Sequence, residues 1–179
     1  MQDAIKPLQA GEAAPDFTLP DILNGKPVRL HNWLGQIVIL NFWSVECPWS
    51  QRYDSYFASL ITPESDQGVH LALINSNMTE TVDQIRAAAN ERGFDSPVLR
   101  DEGNRVADAY GALTTPHVFV VGRDGRIAYQ GAVDDRNFRQ PEPTQHYLDD
   151  ALQAILSGEP PPAPNTPTYG CTIVRVQEG

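Results

Sequence analysis

Cys47 is the residue of this chain that is best placed to act as a nucleophile. It follows a continuous apolar run, Ile37–Phe42, broken only by Asn41, which is typical of a strand buried on both faces of a parallel sheet. Pro48 comes next, and apolar residues recur at helical spacing over residues 53–61, so a helix is predicted to begin just behind the cysteine. The positive end of a helix dipole favours the thiolate over the thiol. The pattern indicates attack on an electrophilic sulfur or oxygen; the alternative is a buried structural cysteine.

Three stretches of the sequence resemble the landmarks of one family. They are GEAAPDFTLPD at residues 11–21, NFWSVECPWS at residues 41–50 and TTPHVFVVGRDGRI at residues 114–127. In this order they resemble the redoxins, the thioredoxin-fold group that holds TlpA-like thiol-disulfide oxidoreductases and peroxiredoxins of the AhpC/TSA type. The resemblance covers most of the chain and implies a redox-active cysteine.

The nucleophile motif departs from both branches of this group. The oxidoreductases have Cys-x-x-Cys preceded by tryptophan, whereas Ser50 replaces the second cysteine here and Glu46 replaces the tryptophan. In peroxiredoxins a proline and a hydroxyl residue precede the nucleophile. Ser44 fits the hydroxyl position, but Leu40 stands in place of the proline, and the arginine that peroxiredoxins have before the strand His117–Val121 is absent. The motif leaves both a disulfide and a peroxide open as substrate.

Several residues around Cys47 are candidates for supporting roles. Ser50 lies one helical turn further on, where its hydroxyl could donate a hydrogen bond to the thiolate. Trp49 is expected to offer an apolar contact to a partner, with a packing role as the alternative. Glu46 is expected to be a solvated surface carboxylate; if it lay close to the sulfur it would raise the pKa of the thiol. The resemblance implies that Thr115-Pro116 has a cis peptide bond, lies against the nucleophile and offers backbone groups to an extended substrate.

Cys171 is the second candidate catalytic residue. Attack by Cys47 on a disulfide or a peroxide leaves a mixed disulfide or a sulfenic acid, and turnover needs another thiol to clear it. With Ser50 in the usual place of that thiol, Cys171 is the candidate that the chain offers, 124 residues away. This separation is similar to that between the peroxidatic and resolving cysteines of two-cysteine peroxiredoxins, which the sequence resembles. The hypothesis of a resolving Cys171 stands beside two alternatives: an unpaired cysteine in the tail, and resolution by an external thiol.

Composition narrows the class of protein. The chain has 179 residues, 41% of them hydrophobic, which suits one globular domain. Its net charge of −10 makes nucleic acid and anionic membrane surfaces poor partners. Two cysteines and four scattered histidines form neither a disulfide framework nor a zinc site, so neither a cofactor nor a metal is expected.

No apolar run is long enough to span a membrane, and residues 1–10 do not resemble a secretory signal. A cytoplasmic protein and a processed extracytoplasmic form remain alternatives.

The predicted fold is α/β and thioredoxin-like, with a central mixed sheet flanked by helices, an N-terminal hairpin and a redoxin-type insertion. We expect a loose lead-in at residues 1–10, the redoxin domain at 11–158 and a proline-rich tail at 159–179 that docks through its apolar residues. Strands are predicted at residues 17–19, 28–30, 37–42, 69–74, 97–100, 117–121 and 127–130, and helices at 31–34, behind Cys47, and at 79–92, 104–110 and 145–156, with a polar connection at 63–68.

Three functions are compatible with the sequence. The favoured one is a thiol-disulfide oxidoreductase in which Cys47 attacks a disulfide of a protein or a small molecule, and Cys171 or an external thiol reductant resolves the product. The second is a peroxide reductase, which Ser44 and the distant Cys171 favour. The third is a redoxin-fold binding module whose Cys47 is inert or permanently tied to Cys171. The electron donor and the oligomeric state are not determined by the sequence.

Overall fold

The computed structural model describes residues 4–61 and 68–177. Its strands are β1 Thr18–Pro20, β2 Pro27–Arg29, β3 Ile37–Phe42, β4 Val69–Asn75, β5 Val98–Arg100, β6 Thr114–Thr115, β7 His117–Val121, β8 Ile127–Gly131 and β9 Cys171–Thr172. Its helices are α1 Pro48–Gln51, α2 Asp54–Leu60, α3 Val82–Glu91, α4 Arg105–Tyr110 and α5 Tyr147–Leu156, with a 3-10 helix at Leu30–Trp33. The predicted polar connection lies outside the described residues except for Gly68.

The central sheet is mixed, with the order β5-β4-β3-β7-β8. Strand β3 lies in the middle, parallel to β4 and antiparallel to β7, and all six of its residues are buried as its apolar run predicts. Phe42, at its carboxyl end, faces Ile74 on one side and His117 on the other. The loops after β3 and β4 and the segment before β7 therefore meet at one edge of the sheet, and the predicted active site lies there.

Helices cover both faces of the sheet, as the predicted fold class requires. Because side chains alternate along a strand, Ile37 and Ile39 of β3 pack with α2, α3 and α5, while Val38 and Leu40 face the opposite side with α4 and the N-terminal segments. Residues 17–30 form the predicted hairpin, with β1 antiparallel to β2. Within the described ranges, none of the helices is both long and apolar enough to cross a membrane.

Two local expectations were wrong, and one needs narrower bounds. The helix behind Cys47 is divided into α1 and α2, because Tyr53 leaves the helical region at φ −104° and ψ 3° and its hydroxyl donates to Asp134. Residues 79–81, predicted as the cap region of α3, precede its first residue, Val82, and Thr81 forms a reciprocal capping box with Gln84. The lead-in is not loose over its second half: Leu8 N–H donates to the Tyr110 carbonyl at 3.0 Å.

The proline-rich tail docks on the domain, as its apolar residues predict. Thr166 N–H donates to the Gln130 carbonyl at the edge of β8, and Thr166 Oγ1 accepts a bond from Ala132 N–H. Gly131 permits this approach, because a Cβ there would lie 2.0 Å from Thr166 Oγ1 and the residue has φ +142°. The tail then continues towards the active-site edge and carries Cys171 with it.

Candidate active site

Cys47 lies at the junction that the sequence predicts, directly after the β3 loop and at the N-cap of α1. Its side chain is buried, with 3% exposed, and its sulfur accepts a hydrogen bond from Ser50 N–H at 3.4 Å. The Thr115 carbonyl oxygen is 3.2 Å from the same sulfur. The Ser50 N–H lies in α1, and its hydrogen bond to the sulfur would stabilise a thiolate at Cys47.

Cys47 and Cys171 form a disulfide, with their Cα atoms 6.0 Å apart. The pair closes a separation of 124 residues, so the tail returns over the domain to the loop that follows β3. The hypothesis that the two cysteines reach each other is thereby confirmed, and the alternative of an unpaired tail cysteine is excluded for this form of the protein.

The segment around Cys171 is a strand paired with the segment that precedes β7. Strand β9 is antiparallel to β6, with Cys171 opposite Thr115 and Thr172 opposite Thr114. The Thr115–Pro116 peptide bond is cis, as the resemblance implies. Ile173 N–H extends the pairing by donating to the Leu113 carbonyl at 3.1 Å. The backbone edge at Thr115, to which the resemblance implies that an extended substrate binds, is thus occupied by the chain's own tail.

A buried carboxylate organises the loop in front of Cys47. Glu80 is 2% exposed, and its Oε1 accepts hydrogen bonds from Ser44 Oγ at 2.7 Å and from Glu46 N–H at 2.8 Å. Its Oε2 accepts a bond from Asn75 Nδ2 at 2.6 Å. Ser44 Oγ in turn accepts a bond from Cys47 N–H at 3.3 Å. Glu80 therefore binds two donors of the loop that carries Cys47, Ser44 Oγ and Glu46 N–H, and is itself held by Asn75 at the end of β4.

Asn77 connects this loop to the tail. Its Nδ2 donates to Ser44 Oγ at 3.2 Å, and its Oδ1 accepts a hydrogen bond from Val174 N–H at 2.8 Å. Sequence reasoning missed both Asn77 and Glu80. The available signal was the polar run that follows the apolar strand β4, since neighbouring parallel strands bring their carboxyl ends to the same sheet edge.

The other predicted supporting residues do not all contact the Cys47 sulfur. The Ser50 hydroxyl accepts from Ser44 N–H at 3.2 Å, so the bond to the sulfur comes from the Ser50 backbone and not from the predicted hydroxyl. Glu46 is exposed, as expected. Trp49 packs edge-to-face against Tyr169 of the tail, with ring centroids 4.7 Å apart. Pro48 opens α1 as predicted.

The arginines near this edge are engaged elsewhere. Arg92 forms an ion pair with Asp54 at 3.0 Å, Arg100 donates to Asn75 Oδ1 at 2.6 Å, and the Arg52 guanidinium stacks over Trp49. His117 Nδ1 accepts from Leu113 N–H, and burial lowers the pKa of this imidazole to about 4. His117 is therefore a neutral core residue.

No cluster of histidine, cysteine, aspartate or glutamate suited to a metal ion occurs in residues 4–61 and 68–177. The chemistry that the site offers is that of its two sulfurs. A thiolate at Cys47 can attack a disulfide, and Cys171 lies within bonding distance to displace the product.

Comparison with known proteins agrees with this geometry. The AhpC/TSA family model matches residues 10–130. The thiol-disulfide oxidoreductase ResA of Halalkalibacterium halodurans is 32% identical over 119 residues, which span 66% of each chain. A hypothetical protein from Sinorhizobium meliloti 1021 has a solved structure that superposes with a TM-score of 0.87 at 29% identity, over 97% of this chain and 98% of that one.

The thioredoxin domain of a thiol-disulfide oxidoreductase from Bacteroides vulgatus shares the fold alone. Its TM-score is 0.61 at 21% identity, over 75% of this chain and 93% of that domain. The family match covers the sheet, the Cys47 loop and the cis-proline segment but ends before the tail. The chain belongs to the AhpC/TSA family, an oxidoreductase family within the redoxin group of thioredoxin-like proteins.

Proposed function

We propose that this protein is a thiol-disulfide oxidoreductase in which Cys47 is the nucleophile and Cys171 the resolving thiol. The observation that carries the proposal is the disulfide between these two cysteines, formed where Cys47 also meets Ser50 N–H and the Thr115 carbonyl. The ResA relatives, named as thiol-disulfide oxidoreductases, support the same reaction class.

The reaction begins with the Cys47 thiolate and a disulfide on a partner protein. The thiolate attacks one partner sulfur, a bond forms between the two, and the other partner sulfur leaves as a thiolate that takes up a proton. The Cys171 thiolate then attacks the Cys47 sulfur and expels the second partner thiolate. The partner gains two electrons as a dithiol, and the enzyme is left with the Cys47–Cys171 disulfide, which an external dithiol reduces.

Four groups around Cys47 would have supporting roles in this reaction. The Ser50 N–H would stabilise the Cys47 thiolate, and Thr115-Pro116 would align an extended partner strand. Trp49, half-buried and packed edge-to-face against Tyr169, would offer an apolar contact near the sulfur. Ser44, under Glu80, would hold the Cys47 backbone in place rather than act on the substrate.

The peroxide reductase is the weaker alternative. The Ser44 hydroxyl donates to Glu80 and so has no proton left for a peroxide oxygen. Arg92 and Arg100 are held by Asp54 and Asn75. Stabilisation of the charge that develops on a peroxide would therefore need a donor that these residues do not provide.

The experiment compares two oxidants on the fully reduced protein. Limiting oxidised glutathione and limiting hydrogen peroxide are added in parallel, samples are quenched by alkylation, and intact mass and peptide mapping follow the linkage. We expect oxidised glutathione to form Cys47–Cys171 faster than peroxide by at least about tenfold. Faster formation with peroxide would favour the peroxidase, and a Cys47 that reacts with neither would favour the binding module. Cys171→Ser, matched with Cys47→Ser, separates the two roles, because only the former should retain a mixed disulfide.

A further inference from the structure

The tail segment 170–174 fits the Thr115 edge as a bound peptide would. Its residues alternate as a strand, with Ile173 buried and Thr172 and Val174 exposed. Cys171 lies opposite Thr115, and Ile173 N–H donates to the Leu113 carbonyl, so the edge fixes the register of the tail while Cys47 holds it covalently.

Gly170 is required by contact rather than by its backbone conformation. It does not have a positive φ, yet a Cβ built on it would lie 2.1 Å from the Thr115 carbonyl oxygen and 2.8 Å from the Thr115 carbonyl carbon. Both neighbours are backbone atoms that cannot turn aside. A strand in this register therefore needs glycine at the position before its cysteine, because any larger residue there would force the strand to shift.

Ile173 fills the second discriminating position. Its side chain is 3% exposed and packs in the core cluster that includes Val38, Leu40 and Phe119. The next residue, Val174, is held through its N–H by Asn77 and through its carbonyl by Met78 N–H at 3.1 Å. A strand that lacks a branched aliphatic residue two positions after its cysteine would leave this apolar recess unfilled.

We propose that the tail occupies the edge at which a partner strand binds during turnover. This proposal rests on the proposed function. The partner strand that the Thr115 edge selects has the pattern Gly-Cys-x-Ile or Gly-Cys-x-Val, and partner and tail exclude one another there. Reduction of Cys47–Cys171 frees the tail, and the partner strand, whose cysteine is part of a disulfide, pairs with Thr115. The Cys47 thiolate attacks the sulfur of that cysteine, and the other sulfur of the partner disulfide leaves as a thiolate that takes up a proton. The tail then displaces that strand from the edge, and Cys171 attacks the Cys47 sulfur to release the partner as a thiol.

The test uses capped heptapeptides as probes. One has the sequence of residues 168–174, the second has alanine in place of its glycine, and the third has alanine in place of its isoleucine. The cysteine of each is joined in a mixed disulfide to 5-thio-2-nitrobenzoate, a chromogenic leaving group. The reduced Cys171→Ser protein reacts with each, and mass spectrometry identifies the peptide on Cys47. A mixed disulfide of 2-mercaptoethanol with the same leaving group is the reference.

We expect the parent peptide to react at least about tenfold faster than either alanine peptide. Equal rates for the three peptides, with a reactive reference, would overturn the selection while leaving the proposed function intact. A Cys47 that reacts with neither the peptides nor the reference overturns both.

A second variant tests the exclusion. In Cys171→Ser/Gly170→Ala the tail is displaced by the clash at Thr115, so the parent peptide should react faster than with Cys171→Ser, again by about tenfold. The 2-mercaptoethanol reference serves as the control, because it needs no strand pairing. An unchanged peptide rate in a folded double variant would show that the tail does not compete for the edge.

Discussion

Truncation of Ile173 to alanine tests whether the tail leaves the domain when the disulfide is reduced. Ile173 is 3% exposed, and removal of a buried isoleucine side chain beyond Cβ costs about 2–5 kcal/mol. In the disulfide form the tail is docked, so the substitution destabilises that form by this amount. If reduction frees the tail, the dithiol form has no Ile173 packing to lose, and the substitution favours the dithiol by the whole amount.

The expected change in reduction potential follows from that cost. For a two-electron couple about 30 mV corresponds to about 1.4 kcal/mol, so Ile173→Ala should raise the potential of Cys47–Cys171 by about 40–110 mV. The assay equilibrates the protein in glutathione buffers of graded potential, quenches by alkylation and counts free thiols by mass. Ile173→Val, which removes one methyl group, should give a shift of about 10–30 mV in the same direction.

Ile155→Ala is the matched control. Ile155 is 8% exposed and lies on α5 in the opposite core cluster, so its truncation should lower the free energy of unfolding and leave the potential unchanged. If Ile173→Ala behaves in the same way, with a loss of stability and no shift in potential, the tail stays docked in both redox states. That result would refute the release of the tail.

Three further perturbations address the nucleophile loop and the core. Cys171→Ser should accumulate a mixed disulfide on Cys47 with a disulfide substrate, seen by intact mass, and turnover equal to that of the parent would remove Cys171 from the mechanism. Ser44→Ala should slow the reaction of Cys47 with oxidised glutathione by about tenfold, because Glu80 and the Cys47 N–H lose their shared partner, and Ser44→Thr should restore the rate. Because burial lowers the pKa of His117 to about 4 while the unfolded imidazole protonates near 6.5, stability should fall as the pH is lowered from 6.5, by about 2 kcal/mol at pH 5. Urea unfolding should show this slope in the parent and a smaller one in His117→Asn.

The sequence by itself determined the parts of the fold that depend on local pattern. The apolar run of β3, Pro48 behind Cys47 and the three family landmarks were enough to predict a thioredoxin-like fold and a nucleophile at a strand-to-helix junction. These features are local, because burial on both faces and helix initiation depend on residues that are close in the chain.

The tertiary structure decided how distant segments complete the site. Glu80 and Asn77 reach the Cys47 loop only because β4 is parallel to β3 and both strands end at the same edge. The hydroxyl of Ser50, predicted to face the sulfur, bonds to Ser44 instead. Helical spacing predicts on which side of a helix a residue lies, but not which of the groups on that side its hydroxyl will bond.

The role of the tail was also beyond the sequence alone. Cys171 could be proposed as a resolving thiol by elimination, but its pairing with Thr115 and the close approach of Gly170 depend on where a strand 124 residues from Cys47 crosses the domain. Such contacts have no periodic signature, because they are set by the packing of Ile173 and by backbone hydrogen bonds between segments far apart in the chain. The sequence identifies Cys47 as the candidate nucleophile, and the fold determines which residues lie against it.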